Sequence, residues 1–120
     1  MDDQQLRERL LQLAQALSDS ALSVPPSALS LGAFARCLAR TSSPLLLPAT
    51  PFAIAQFDEF LDQVVSFSPY FSLKEGVQAC LATVDKMLGG VKSEFIHGDS
   101  PTINDLLLYI LNSLDDVTFT

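Results

Sequence analysis

The feature that most constrains this chain is residues 95–114, Phe-Ile-His-Gly-Asp-Ser-Pro-Thr-Ile-Asn-Asp-Leu-Leu-Leu-Tyr-Ile-Leu-Asn-Ser-Leu. Thr102 and Asp105 have the spacing of a capping box, in which the hydroxyl accepts the Asp105 N–H and the carboxylate accepts the Thr102 N–H. A helix is expected to begin there. From Ile103 it carries Leu106, Leu107, Leu108, Tyr109, Ile110, Leu111 and Leu114, apolar almost all round. Such a helix belongs in the middle of a bundle, so other helices should wrap it.

The rest of the chain supplies those helices. Leu6, Leu10, Leu13, Ala14 and Leu17 recur at helical spacing against a polar face that includes Gln4, Arg7, Arg9 and Gln12, and Asp2 and Asp3 suit the positive end of the dipole. Val24-Pro25-Pro26-Ser27 interrupts helix and reads as a connector. Ser30 is an N-cap for a second helix over residues 31–40, with Leu31, Phe34, Ala35 and Leu38 as its apolar stripe and Arg36 and Arg40 as an exposed basic pair. Pro44 and Pro48 then enclose a loop of three leucines, Leu45, Leu46 and Leu47. Thr50 followed by Pro51 starts a third helix that runs to about residue 67, with Phe57, Phe60, Leu61 and Val64 inward and Asp58, Glu59 and Asp62 toward solvent. Ser68-Pro69 breaks it. Ser72 and Glu75 form a second capping box, for a helix with the stripe Val77, Cys80, Leu81, Val84 and Leu88, ended by Gly89-Gly90. A loop over 91–101 leads to the central helix, and residues 115–120 are a short tail. The expected fold is a single all-α domain, a bundle of about five helices.

Composition excludes several functions. The chain has 120 residues, 48% of them hydrophobic, enough for a core that needs neither disulfides nor metals. Its net charge is −7, and the basic residues are scattered, so direct nucleic-acid or anionic-membrane binding is not expected. Cys37, Cys80 and the lone His97 make no metal-ligand set, and the cysteines read as reduced, buried thiols. The N-terminus resembles neither a secretory nor a transit peptide, and no apolar run approaches the roughly 20 residues that cross a bilayer. A cytoplasmic protein without a cofactor is expected. No phosphate loop, nucleophile elbow or paired ligand motif is present, so no catalytic residue is assigned. Asp105 is read as a cap rather than a catalytic carboxylate, and His97 as loop-fixing or solvent-facing.

The series Phe95, Gly98, Asp99, Thr102, Ile103, Asp105, Leu106 resembles the N-capping signature of the C-terminal helical domain of glutathione S-transferases. That family commonly has alanine where Asn104 stands here. Residues 31–40, the Pro-rich loop and residues 55–62 resemble the last helix of the thioredoxin-like half and the first long helix of the helical half. The resemblance covers residues 31–114. Residues 1–30 would be a degenerate remnant, a helix and a connector too short to form a glutathione pocket, so the thioredoxin-like half is missing or degenerate. Similar noncatalytic domains are appended to glutamyl-, methionyl- and cysteinyl-tRNA synthetases, their scaffold cofactors and elongation factor one B subunits. The resemblance therefore implies a protein–protein interaction domain that assembles a multi-synthetase complex in translation. Its implied partners are other transferase-like domains, such as those of methionyl- or glutamyl-tRNA synthetase.

In the family the corresponding two helices form the dimer face, which makes Arg36, Arg40, Leu45, Leu46, Asp58 and Asp62 the partner-binding candidates. Thr102 and Asp105 are the structural cap. The alternatives are a fragment of a transferase-like enzyme and a helical adaptor or chaperone unrelated to translation. The family usually continues with further helices, so Thr120 is expected at a truncated domain end or at a boundary inside a longer protein, where a basic tRNA-binding segment could follow.

Overall fold

The computed structural model describes residues 2–25, 29–89, 95–98 and 100–117, with side chains described up to residue 114. Five α-helices follow in order: α1 (Asp3–Leu17), α2 (Leu31–Thr41), α3 (Pro51–Ser66), α4 (Lys74–Met87) and α5 (Ile103–Val117), with a 3-10 turn at Ser68–Tyr70. No strand occurs among the described residues; one isolated bridge joins Phe95 and Gly98. The chain is all-helical, as the periodicity predicts. Pro26, Ser27, residues 90–94, Asp99 and residues 118–120 lie outside the described residues, and with them parts of the expected connector, helix stop, loop, motif and tail. α5 continues to Val117, beyond the start of the expected tail.

α5 packs against α1, α2, α3 and α4. Ile103, Leu107, Ile110, Leu111 and Leu114 are buried, whereas Tyr109 is 58% exposed, so the bundle covers most but not all of its circumference. The expected stripes of α2 and α3 are buried throughout; on α4 Val77, Cys80 and Val84 are buried while Leu81 and Leu88 lie at the core margin. α1 belongs to this same core, since Leu6, Leu10 and Ala14 are at most 1% exposed and the helix lies on α2 and α5. α1 is therefore packed into the bundle rather than appended to it. Arg7, expected on the polar face, is buried: it pairs with Asp3 and donates to the Leu29 carbonyl, holding the end of the connector.

The helix starts refine the sequence reading. Asp2 and Gln5 form a reciprocal capping box on α1, with Gln5 N–H donating to Asp2 Oδ1 at 2.8 Å and Asp2 N–H to Gln5 Oε1 at 3.0 Å. Ser30 and Thr50 cap α2 and α3 as expected, each accepting the N–H three residues on. The Ser72–Glu75 box does not form. α4 has Leu73 at its N-cap position and no side-chain cap, because its first turn is pressed against the preceding 3-10 turn. A Cβ on Gly76 would stand 2.0 Å from the Tyr70 carbonyl oxygen, so only glycine permits that approach.

At α5 the capping box forms by half. Asp105 Oδ2 accepts the Thr102 N–H at 2.8 Å, as expected. The Thr102 hydroxyl, however, donates to the same carboxylate at 3.3 Å, and the Asp105 N–H donates to the Thr102 carbonyl at 3.1 Å. The ionised carboxylate is the stronger acceptor and captures the hydroxyl proton. Asp105 Oδ1 also accepts the Ile96 N–H at 2.9 Å, and the Ile103 N–H donates to the Leu46 carbonyl at 3.1 Å. The start of α5 thus anchors both the 95–98 turn and the leucine loop.

Candidate partner-binding surface

α2 and α3 lie side by side and present a shallow groove of about 660 Å³. Its floor is Gly32, Ala33, Cys37 and Val65, and its rim carries Arg36, Arg40 and Asp62. A Cβ on Gly32 would come within 3.1 Å of Arg36 Nη1, so the glycine leaves room for the guanidinium to cross toward α3. Arg36 is consequently not one of an exposed basic pair. Its Nη2 donates to Asp62 Oδ1 at 2.7 Å and its Nε to Asp58 Oδ1 at 3.0 Å, and it strengthens its hold on its proton, through the Asp62 bond first, against the opposing effect of burial. One guanidinium fork thus straps two carboxylates a helical turn apart on α3 to α2. Arg40, by contrast, is exposed and has no ion-pair partner among the described residues.

Three of the six candidates, Arg36, Arg40 and Asp62, therefore line this groove, and Asp58 is tied to it through Arg36. The two leucines do not. Leu45 is 57% exposed but lines a separate cleft of about 450 Å³ with Leu17, Pro44, Leu47 and Pro101. Leu46 is 2% exposed and belongs to the core: its N–H reaches the Ala39 carbonyl at 3.0 Å and Ser42 Oγ at 3.2 Å, while its carbonyl caps α5. Burial removes it from any partner-facing role. The sequence reading missed the groove floor. The signal was present in Gly32, Ala33, Arg36, Cys37 and Arg40, which fall on the flank of α2 away from the Leu31, Phe34 and Leu38 stripe.

His97 and Asn104 meet α3 at Phe57 and Phe60, away from the groove. His97 is half-buried, with its ring 5.7 Å from that of Phe57 and edge-on to Phe60 at 5.8 Å. The fully buried Asn104 donates from Nδ2 to the Phe57 carbonyl at 3.1 Å and to His97 Nε2 at 3.0 Å. Its Oδ1 is buried and has no hydrogen-bond partner among the described residues. Burial pushes the His97 pKa below its ordinary value while the charge of Asp105 pulls it up. His97 is thus loop-fixing, and Asp105 is committed to backbone N–H groups. Burial raises the Cys80 thiol to about 11, which leaves it protonated at neutral pH. Among the described residues no group of three His, Cys, Asp or Glu side chains could hold a metal ion, and no helix is long and apolar enough to cross a membrane. No family model, curated protein or solved structure matches the chain.

Proposed function

We propose that this chain is a noncatalytic docking domain, similar to the C-terminal half of a glutathione transferase, that assembles an aminoacyl-tRNA synthetase or its scaffold cofactor into a cytoplasmic complex through the α2–α3 face. The observation that carries the reading is the groove itself. Small side chains on its floor allow close approach of a partner helix, and its rim places Arg40, without an ion-pair partner among the described residues, beside the Arg36–Asp58–Asp62 strap, in which one guanidinium faces two carboxylates. Arg40 is the rim cation left to meet a carboxylate of the partner at short range, which fixes register rather than speeding encounter, since the chain as a whole carries −7. The capping motif around Thr102 and Asp105 adds the resemblance to synthetase-associated domains.

The test is direct titration with the purified transferase-like domains of methionyl- and glutamyl-tRNA synthetase at moderate salt, followed by calorimetry. Arg40→Glu reverses the rim charge without touching the strap, and Ala33→Arg fills the groove at an exposed position. The expected result is binding of at least one domain, weakened at least tenfold by either variant, on the scale of about 1.4 kcal/mol. Binding of neither domain overturns the reading, and equal binding by both variants overturns the proposed face.

A further inference from the structure

The side of α3 turned away from the groove holds a polar assembly that this function leaves unused. Asn104 has two amide protons, and both are engaged: one on the Phe57 carbonyl of α3, the other on His97 Nε2. The Phe57 contact fixes the amide orientation, because the reversed amide would set its oxygen against a carbonyl oxygen. His97 Nε2 therefore accepts, and the ring is neutral with its proton on Nδ1. The ring in turn sits between Phe57 and Phe60 and holds the 95–98 turn, whose Ile96 N–H is tied to Asp105. His97 also lines two clefts, one of about 470 Å³ with Phe52, Phe60, Met87 and Ile96, the other the 450 Å³ cleft beside Leu45 and Leu47. Among the described residues it is the one side chain common to both linings.

We propose that His97 is an acid-released latch: a proton on Nε2 confronts the Asn104 amide with a second donor, frees the ring from α3 and joins the two clefts into one. The protonated ring cannot be accommodated by turning the amide, since the Phe57 carbonyl would then lose its donor and face an oxygen. The imidazolium would also be partly desolvated beside the two phenyl rings. Two charged groups bear on the ring among the described residues. Asp105 at the start of α5 attracts a proton to it, but its oxygens are held by the Ile96 and Thr102 N–H groups; Glu59 of α3 lines the Phe60-side cleft. The end of α4 and the leucine loop present only apolar or uncharged side chains to the two clefts.

Because His97 is the only histidine, the test needs no assignment. Imidazole nitrogen NMR at pH 7.5 is expected to show Nε2 as the unprotonated nitrogen, and titration should place the midpoint below 6.5. Between pH 7.5 and 5, amide exchange at Ile96, His97 and Gly98, corrected for intrinsic rates, should rise about tenfold or more relative to α2 amides, following one proton. His97→Gln keeps an acceptor for Asn104 and does not titrate, so the rise should vanish in it. A proton on Nε2 at pH 7.5, a midpoint above 6.5, or an equal rise in His97→Gln would each overturn the latch. Should His97→Gln not fold, the Asn104 side-chain amide resonances of the unaltered protein decide: they must shift with the His97 midpoint, and invariance would overturn it.

Discussion

Asp105 joins two segments that are remote from the rest of its helix, because each carboxylate oxygen takes a backbone N–H from a different place, Thr102 and Ile96. Removing it leaves two backbone donors without their acceptor and an uncapped helix at the centre of the bundle. Asp105→Ala is expected to lower stability by about 2 kcal/mol, read as a fall in urea midpoint without a change in slope. The cysteines differ for a reason that also lives at single-residue scale. Cys80 is buried and its thiol is pushed up from 9.0 to about 11, whereas Cys37 is half-buried at the groove. In the native state a disulfide reagent at pH 8 should label Cys37 rapidly and Cys80 only as fast as the bundle opens. The raised pKa means that the unfolded chain loses its proton first. The stabilising effect of the buried thiol is complete below pH 9 and falls away as pH rises toward about 11, by up to about 2 kcal/mol. Cys80→Ala should remove that part of the alkaline loss, measured as urea midpoint against pH.

At the scale of elements, α2 and α3 are held by an apolar seam and by the Arg36 strap. The strap is partly solvated, since Arg36 is 24% exposed and its partners 43% and 67%, so each arm is worth only a few tenths to about 1 kcal/mol. Arg36→Ala should therefore cost about 1 kcal/mol at low salt and markedly less in 1 M NaCl, where the Debye length shrinks to about 3 Å. Arg36→Glu would gather three carboxylates at one place and should be worse than alanine, with salt reducing the difference. Because Arg36 joins α2 to α3, its charge reversal also perturbs the groove, and Arg40 is the cleaner probe of partner binding. The leucine loop shows a related division of labour. Leu46 faces inward and caps α5 through its carbonyl, while Leu45 points to the neighbouring cleft.

For the whole molecule, the Cα radius of gyration of 13.6 Å is what a compact chain of this length has, by the scaling of about 2.2·N^0.38 Å. α1 contributes to that compactness rather than decorating it. Leu6, Leu10 and Ala14 cover α5 and α2, and residues 18–19 are tied to the α2–α3 loop, where Ser18 Oγ accepts the Ser43 N–H at 3.1 Å and the Asp19 N–H donates to the Ser43 carbonyl at 2.6 Å. Deleting residues 1–30 would strip this cover and expose the α1-facing side of the most apolar helix. The truncated chain should lose cooperative thermal unfolding and self-associate, measured by circular dichroism and sedimentation, because each buried leucine on α1 accounts for about 1.5–3 kcal/mol of transfer free energy.

What the sequence by itself determined is the set of helices. Apolar residues at helical spacing and the caps at Ser30, Thr50 and Asp105 are local signals, since a periodicity and a cap need only neighbours a few residues away. The all-round apolarity of α5 likewise announced its central place, because such a surface has to be covered from several sides. Tertiary structure alone decided the rest. Leu45 and Leu46 are identical in type and adjacent, and only the approach of the loop to the start of α5 buries one of them. Arg36 looked exposed until α3 brought its carboxylates, 22 and 26 residues away, within reach of the guanidinium. The bond from Asn104 to the Phe57 carbonyl spans 47 residues, and no local pattern marks a backbone carbonyl as the partner of a distant amide. Which face of a helix is polar is written in its own residues; which polar groups become partners is set by the packing of helices far apart in the chain.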